Sequence, residues 1–116
     1  MGLVNLDVKN GIGFIVINRP DKLNALGIEA FYELDKAIEE INTNKEIRVS
    51  IITGSGNKAF AVGGDINLLK ELTPIKAVQF SRFVQQMFSK MEQSEKPYIA
   101  CVNGYALGGG FELALF

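Results

Sequence analysis

Residues 98–112 read YIACVNGYALGGGFE, an apolar strand-like run that enters Gly108, Gly109 and Gly110 and emerges into a helix carrying the acid Glu112. Glycine lets a bound group approach the main chain closely, and the first turn of a helix offers N–H groups with no intrahelical partner. Negative charge is stabilised at such a place, so an oxyanion is its natural guest. A second junction of the same kind lies upstream, where residues 59–66 read AFAVGGDI and pass through Gly63 and Gly64 to Asp65, an N-cap candidate. Two such junctions can aim two backbone N–H groups at one oxygen, the arrangement of an oxyanion hole. Taken singly, each glycine run is equally a tight turn, and Glu112 is equally an acid that complements the helix macrodipole.

Working outward, Val4, Leu6 and Val8 alternate with polar residues, and an apolar run over 12–17 follows Asn10 and Gly11, which predicts a β-hairpin. Ile28, Phe31, Leu34, Ile38 and Ile41 recur at helical spacing and predict a helix over 28–41. Residues 49–53 read as a buried strand ending at Gly54, Ser55 and Gly56. Thr73 and Pro74 form an N-cap with proline at the first helical position. Beyond them Ile75, Val78, Phe83, Val84, Met87, Phe88 and Met91 mark the apolar face of a longer helix, and Pro97 opens the next strand. Strands alternating with helices in this order predict an α/β domain whose helices cover the sheet.

The 116 residues, 47% of them apolar, allow one core and one folding unit over 1–116. Leu113, Ala114, Leu115 and Phe116 make an apolar tail without a C-cap, so the chain is expected to be part of a longer protein. A formal charge of −1, from 12 basic and 13 acidic residues, offers no electrostatic reason to bind nucleic acid or an anionic membrane. No signal peptide or membrane span is read, which points to the cytoplasm. Histidine is absent, which removes Ser-His, Cys-His and His-metal chemistry, and no metal site is expected. The single cysteine, Cys101, reads as a buried structural residue of its strand, and Glu39, Glu40 and Glu46 as a solvated helical face.

Four blocks in order, INRPDKLNAL over 17–26, IITG over 51–54, AFAVGGDI over 59–66 and ACVNGYALGGGFEL over 100–113, resemble the crotonase, or enoyl-CoA hydratase/isomerase, superfamily. The resemblance extends over essentially the whole chain and rests chiefly on the last two blocks. It implies a crotonase-like spiral of strand-strand-helix units, here the N-terminal part of one domain, with the C-terminal part and trimerisation helices lying elsewhere. The implied substrate is an acyl-CoA thioester, with coenzyme A part of the substrate and no separate cofactor. Matched residue by residue, the Gly64 and Gly109 N–H groups form the oxyanion hole and Glu112 is the first of two catalytic glutamates, the second falling beyond Phe116. Lys22, Ala25, Leu26, Ala61, Gly63, Asp65 and Ile66 match the substrate and CoA path, although Lys22 is equally a solvated loop lysine. Val62 departs from the alanine common in the family. The implied reaction is reversible hydration of a trans-2-enoyl-CoA in a homo-oligomer, a trimer or dimer of trimers. The alternatives are an enoyl-CoA isomerase of the same superfamily, or a non-catalytic CoA-binding or assembly fragment.

Overall fold

The computed structural model describes residues 2–63, 72–107, 110, 113 and 114. The chain opens with β1, Val4–Lys9, paired antiparallel to β2, Ile12–Ile17, with Lys9 opposite Ile12. Asn10 and Gly11 alone connect them, at φ of 53° and 80°. A two-residue turn with both φ positive matches the twist of a hairpin, which is why Asn-Gly serves here. After a short 3₁₀ turn at Pro20–Lys22 comes α1, Ile28–Thr43, two residues longer than its apolar spacing marks. It buries Ala30, Phe31, Leu34, Ala37, Ile38 and Ile41 along one stripe.

The strand β3, Val49–Gly54, then pairs parallel with β2, as a helical crossover between neighbouring strands requires. The short β4, Ala59–Ala61, precedes α2, Pro74–Glu92, whose N-cap Thr73 accepts a hydrogen bond from Lys76 N at 3.2 Å. Two further strands follow, β5 at Tyr98–Cys101 and β6 at Tyr105–Ala106. The main sheet has the order β1-β2-β3-β5, while β4 and β6 form a separate parallel pair. The core lies between α1 and the main sheet, with Ile15, Ile17 and Ile52 of the sheet fully or almost fully buried. The second helix closes it through Met87, Phe88 and Met91, and Phe31 meets Phe80 edge-on at 5.5 Å.

Two sequence expectations are corrected, and the apolar face read on α2 proves to be only partly covered. Cys101 is exposed rather than buried. Among the described residues β5 is an edge strand, and Ile99 and Cys101 point to the face that neither helix covers. The apolar face of α2 is covered only toward its C-terminal end, since Ile75 and Val78 are 73% and 53% exposed. Helical spacing reports which residues share a face, not whether another element lies against it. Finally, the run expected as one strand from Pro97 to the glycines is divided at Val102, Asn103 and Gly104 into β5 and β6, which belong to different sheets. Gly104 permits the change of sheet: a Cβ there would sit 2.3 Å from Lys58 O, a backbone atom that cannot swing away. The proposed N-cap Asp65 lies outside the described residues.

A polar cluster joins the start of β5 to the end of α1. Asn42 Oδ1 accepts from the Tyr98 hydroxyl at 2.7 Å and from Ser94 Oγ at 2.8 Å, and the Lys96 ammonium caps the Ile41 and Asn44 carbonyls. Burial pushes the Tyr98 phenol up to about 12, against an opposing hydrogen bond from Ser94 and with a smaller push from Glu39. An acid whose folded pKa is raised stabilises the fold fully below its unfolded pKa of about 10 and loses that contribution as pH rises through the folded value. Urea unfolding is therefore expected to show stability falling between about pH 10 and pH 12 by at most about 1.4 kcal/mol per unit from this group. Tyr98→Phe should flatten that slope, and an unchanged slope would remove Tyr98 as its source.

Candidate active site

The two glycine junctions leave the same small sheet side by side. β4 and β6 run parallel, with Ala59 opposite Tyr105 and Ala61 opposite Ala106, so both chains reach their glycines at one end. Leu107 N donates to Ala61 O at 3.2 Å, Gly110 N donates to Leu107 O at 3.0 Å, and Leu26 N donates to Gly63 O at 3.4 Å. Leu26, Ala61, Gly63, Leu107 and Gly110 are thus tied together by main-chain hydrogen bonds. Gly110, Leu113 and Ala114 are helical, and this helix start is pressed onto the end of β4. A Cβ on Gly110 would fall 1.9 Å from Ala61 O and 2.4 Å from its carbonyl carbon, a clash that no side-chain movement relieves.

Of the residues singled out in the sequence, Gly64, Gly109, Glu112, Asp65 and Ile66 lie outside the described residues. Their neighbours Gly63 and Gly110 sit on the two adjacent junctions. Lys22 is exposed at the end of the 3₁₀ turn and Ala25 is half-buried. Leu26 and Ala61 have no solvent exposure, main chain included, and the Ala61 carbonyl already accepts from Leu107. A cleft of about 180 Å³ lies between the turn and the β3–β4 loop, lined in part by Pro20, Leu23, Asn24 and Lys58. Among the described residues there is no group of three or more His, Cys, Asp or Glu side chains placed to hold a metal, and no helix is long and apolar enough to cross a membrane.

Two residues that carried no weight in the sequence organise this region. Asn24 is fully buried at φ 57°, a left-handed conformation that asparagine tolerates better than most residues. Its Oδ1 accepts from Arg19 N at 2.8 Å, and its Nδ2 donates to Ser55 O at 3.1 Å and Ala59 O at 2.8 Å. Asn103 Nδ2 donates to Gly54 O at 2.8 Å and Gly56 O at 2.9 Å, while its Oδ1 accepts from Gly54 N at 3.2 Å. The signals available were an Asn at 24 shortly after the pattern break over residues 18–22 and an Asn-Gly pair at 103–104, neither of which names a distant partner.

Residues 7–116 match a family model described as enoyl-CoA hydratase/isomerase. The chain is similar to a short-chain-enoyl-CoA hydratase of Clostridium acetobutylicum, at 41% identity over 112 residues covering 97% of this chain and 43% of that protein. It is 40% identical over 110 residues to a crotonyl-CoA hydratase of Syntrophomonas wolfei, covering 95% of this chain and 42% of that protein. Among solved structures, the enoyl-CoA hydratase from Bacillus anthracis superposes with a TM-score of 0.90 at 31% identity, covering 98% of this chain and 45% of its own. The one from Thermoplasma volcanium gives 0.89 at 37% identity, covering 97% and 44%. The chain therefore spans less than half the length of these relatives.

Proposed function

We propose, starting from the fact that this chain belongs to the enoyl-CoA hydratase/isomerase family, that the whole protein hydrates a trans-2-enoyl-CoA reversibly to the 3-hydroxyacyl-CoA. The observation that carries the reading is the parallel β4–β6 pair, from which the two glycine junctions start side by side. In the reaction, the oxygen of water bonds to C3 of the enoyl group and the displaced electron pair moves through C2 onto the thioester oxygen. The Gly64 and Gly109 N–H groups hold the resulting enolate oxygen, where preorganised donors act most strongly because they need no reorientation. Glu112 takes or directs the proton of the attacking water, and a second carboxylate, from chain outside these 116 residues, returns a proton to C2. Coenzyme A enters with the substrate along the Lys22, Ala25, Leu26, Ala61, Gly63, Asp65 and Ile66 path, so the reaction calls for no separate cofactor. The protein works as a cytoplasmic homo-oligomer in this reading.

A second reading, that these 116 residues alone are a non-catalytic module, is favoured by the apolar face around β5 and β6. Ile99, Val102, Tyr105 and Leu107, four large apolar residues within nine positions, are 51% to 64% exposed. Loss of the enoyl thioester absorbance of crotonyl-CoA tests both readings. The whole protein should turn over, and the 116-residue chain alone should be slower by about a hundredfold or more, the usual worth of a missing general acid. A whole protein that binds crotonyl-CoA without hydrating it, yet shifts the double bond of a 3-enoyl-CoA, would instead be an isomerase.

A further inference from the structure

We infer that Asn103 and Asn24 are positioning residues that set the spacing of the two glycine junctions, a role resting on the oxyanion-hole reading given above. The pair β4 and β6 has three and two residues, and its register is irregular between Ala59 and Ala61. Two strands this short do not hold their own geometry. What anchors them is the end of β3 and the loop that follows it. Asn103 clamps the entry to β6 onto Gly54 and Gly56, spending both amide hydrogens on carbonyls and accepting from Gly54 N. Asn24 reaches the same loop at Ser55 and holds the Ala59 carbonyl at the start of β4. One loop, Gly54 to Gly56, is therefore gripped by both carboxamides, and each grip lies at the root of one junction. Each asparagine donates twice and accepts from a main-chain N–H, a combination that a carboxamide supplies and that a hydroxyl, with one donor, or a lysine or arginine, with no acceptor, does not.

Both asparagines lie at the root of the junctions, away from the glycine turns, and act through the main chain. A shift of about 1 Å in one donor relative to the other costs on the order of a hundredfold in rate, whereas affinity for a ligand without the thioester oxygen is insensitive to it. Asn103→Ala and Asn24→Gly, the latter keeping the positive φ accessible, are made in the whole protein. Folded sites are counted by CoA-binding stoichiometry. The Kd for CoA, the Kd for acetoacetyl-CoA, whose enolate places charge on the held oxygen, and kcat for crotonyl-CoA are then measured per folded site. The expected result in both variants is kcat and the preference for acetoacetyl-CoA over CoA lowered about ten- to a hundredfold, with the CoA affinity of Asn103→Ala, which lies away from the 22–26 segment, within about threefold of the parent. Lower thermal stability with unchanged kcat per folded site and unchanged preference would make both residues merely structural and overturn the inference. Should Asn103→Ala fail to fold, Asn103→Ser, which keeps one donor but shortens its reach, carries the same readouts. A parent that does not hydrate crotonyl-CoA removes the hydratase reading and leaves the acetoacetyl-CoA preference as the test. A parent without that preference overturns the inference as well.

Discussion

Glu112→Gln in the whole protein is expected to lower kcat for crotonyl-CoA hydration by about a hundred- to ten-thousandfold, the worth of a general acid or base, with the acyl-CoA Kd unchanged within a few-fold. Glutamine has the shape of glutamate and still forms hydrogen bonds, so a positioned water can remain, but the amide cannot take its proton. The competing account of Glu112, an acid complementing the first turn of its helix, makes a different prediction. Neutralising such a charge costs about 0.3–1 kcal/mol of stability and leaves turnover per folded site untouched. Steady-state kinetics combined with a binding titration therefore decide between the two, and full turnover in the variant would end the catalytic role.

The second large effect is expected at Gly110. A glycine-to-alanine change inside a helix ordinarily stabilises by about 0.5–1 kcal/mol, because it restricts the unfolded chain. At Gly110 the sign should reverse, since the new methyl would overlap Ala61 O at 1.9 Å and both partners are backbone. Overpacking of this kind costs about 1–3 kcal/mol, and relief requires the helix start to move off β4. Because Gly110 directly follows Gly109, that movement displaces a proposed oxyanion donor. Loss of such a donor lowers kcat by about a hundred- to a thousandfold. Gly110→Ala should thus melt earlier and turn over far more slowly. A variant that melts later than the parent would show that the helix does not seat on β4 as described.

Much of the fold was legible because its signals are local. Asn10 and Gly11 announced the hairpin through the two positive φ angles that only a few residues accept cheaply, and the apolar spacing over residues 28–41 announced α1. Thr73 and Pro74 marked the start of α2 for the same reason, a cap and a preset φ. What misled was inference from pattern to burial. Cys101 looks like a core residue in sequence and is exposed, and Val78 lies on the apolar face of α2 yet is exposed, since strand and helix periodicity assign a face but not its cover. The three residues of β4 and the two of β6 are too short to carry any period at all.

By itself, then, the sequence determined the order of β1, β2, α1, β3, α2 and β5, the two glycine junctions, and the absence of histidine chemistry, all of which follow from residue type and neighbouring spacing. The tertiary structure alone decided that the junctions are neighbours in a separate parallel pair, that Gly110 rests on Ala61, and that Asn24 and Asn103 grip one loop. The reason is physical. Those contacts join residues 31 to 49 positions apart, and a hydrogen bond to a main-chain carbonyl leaves no mark on the identity of the residue that owns it.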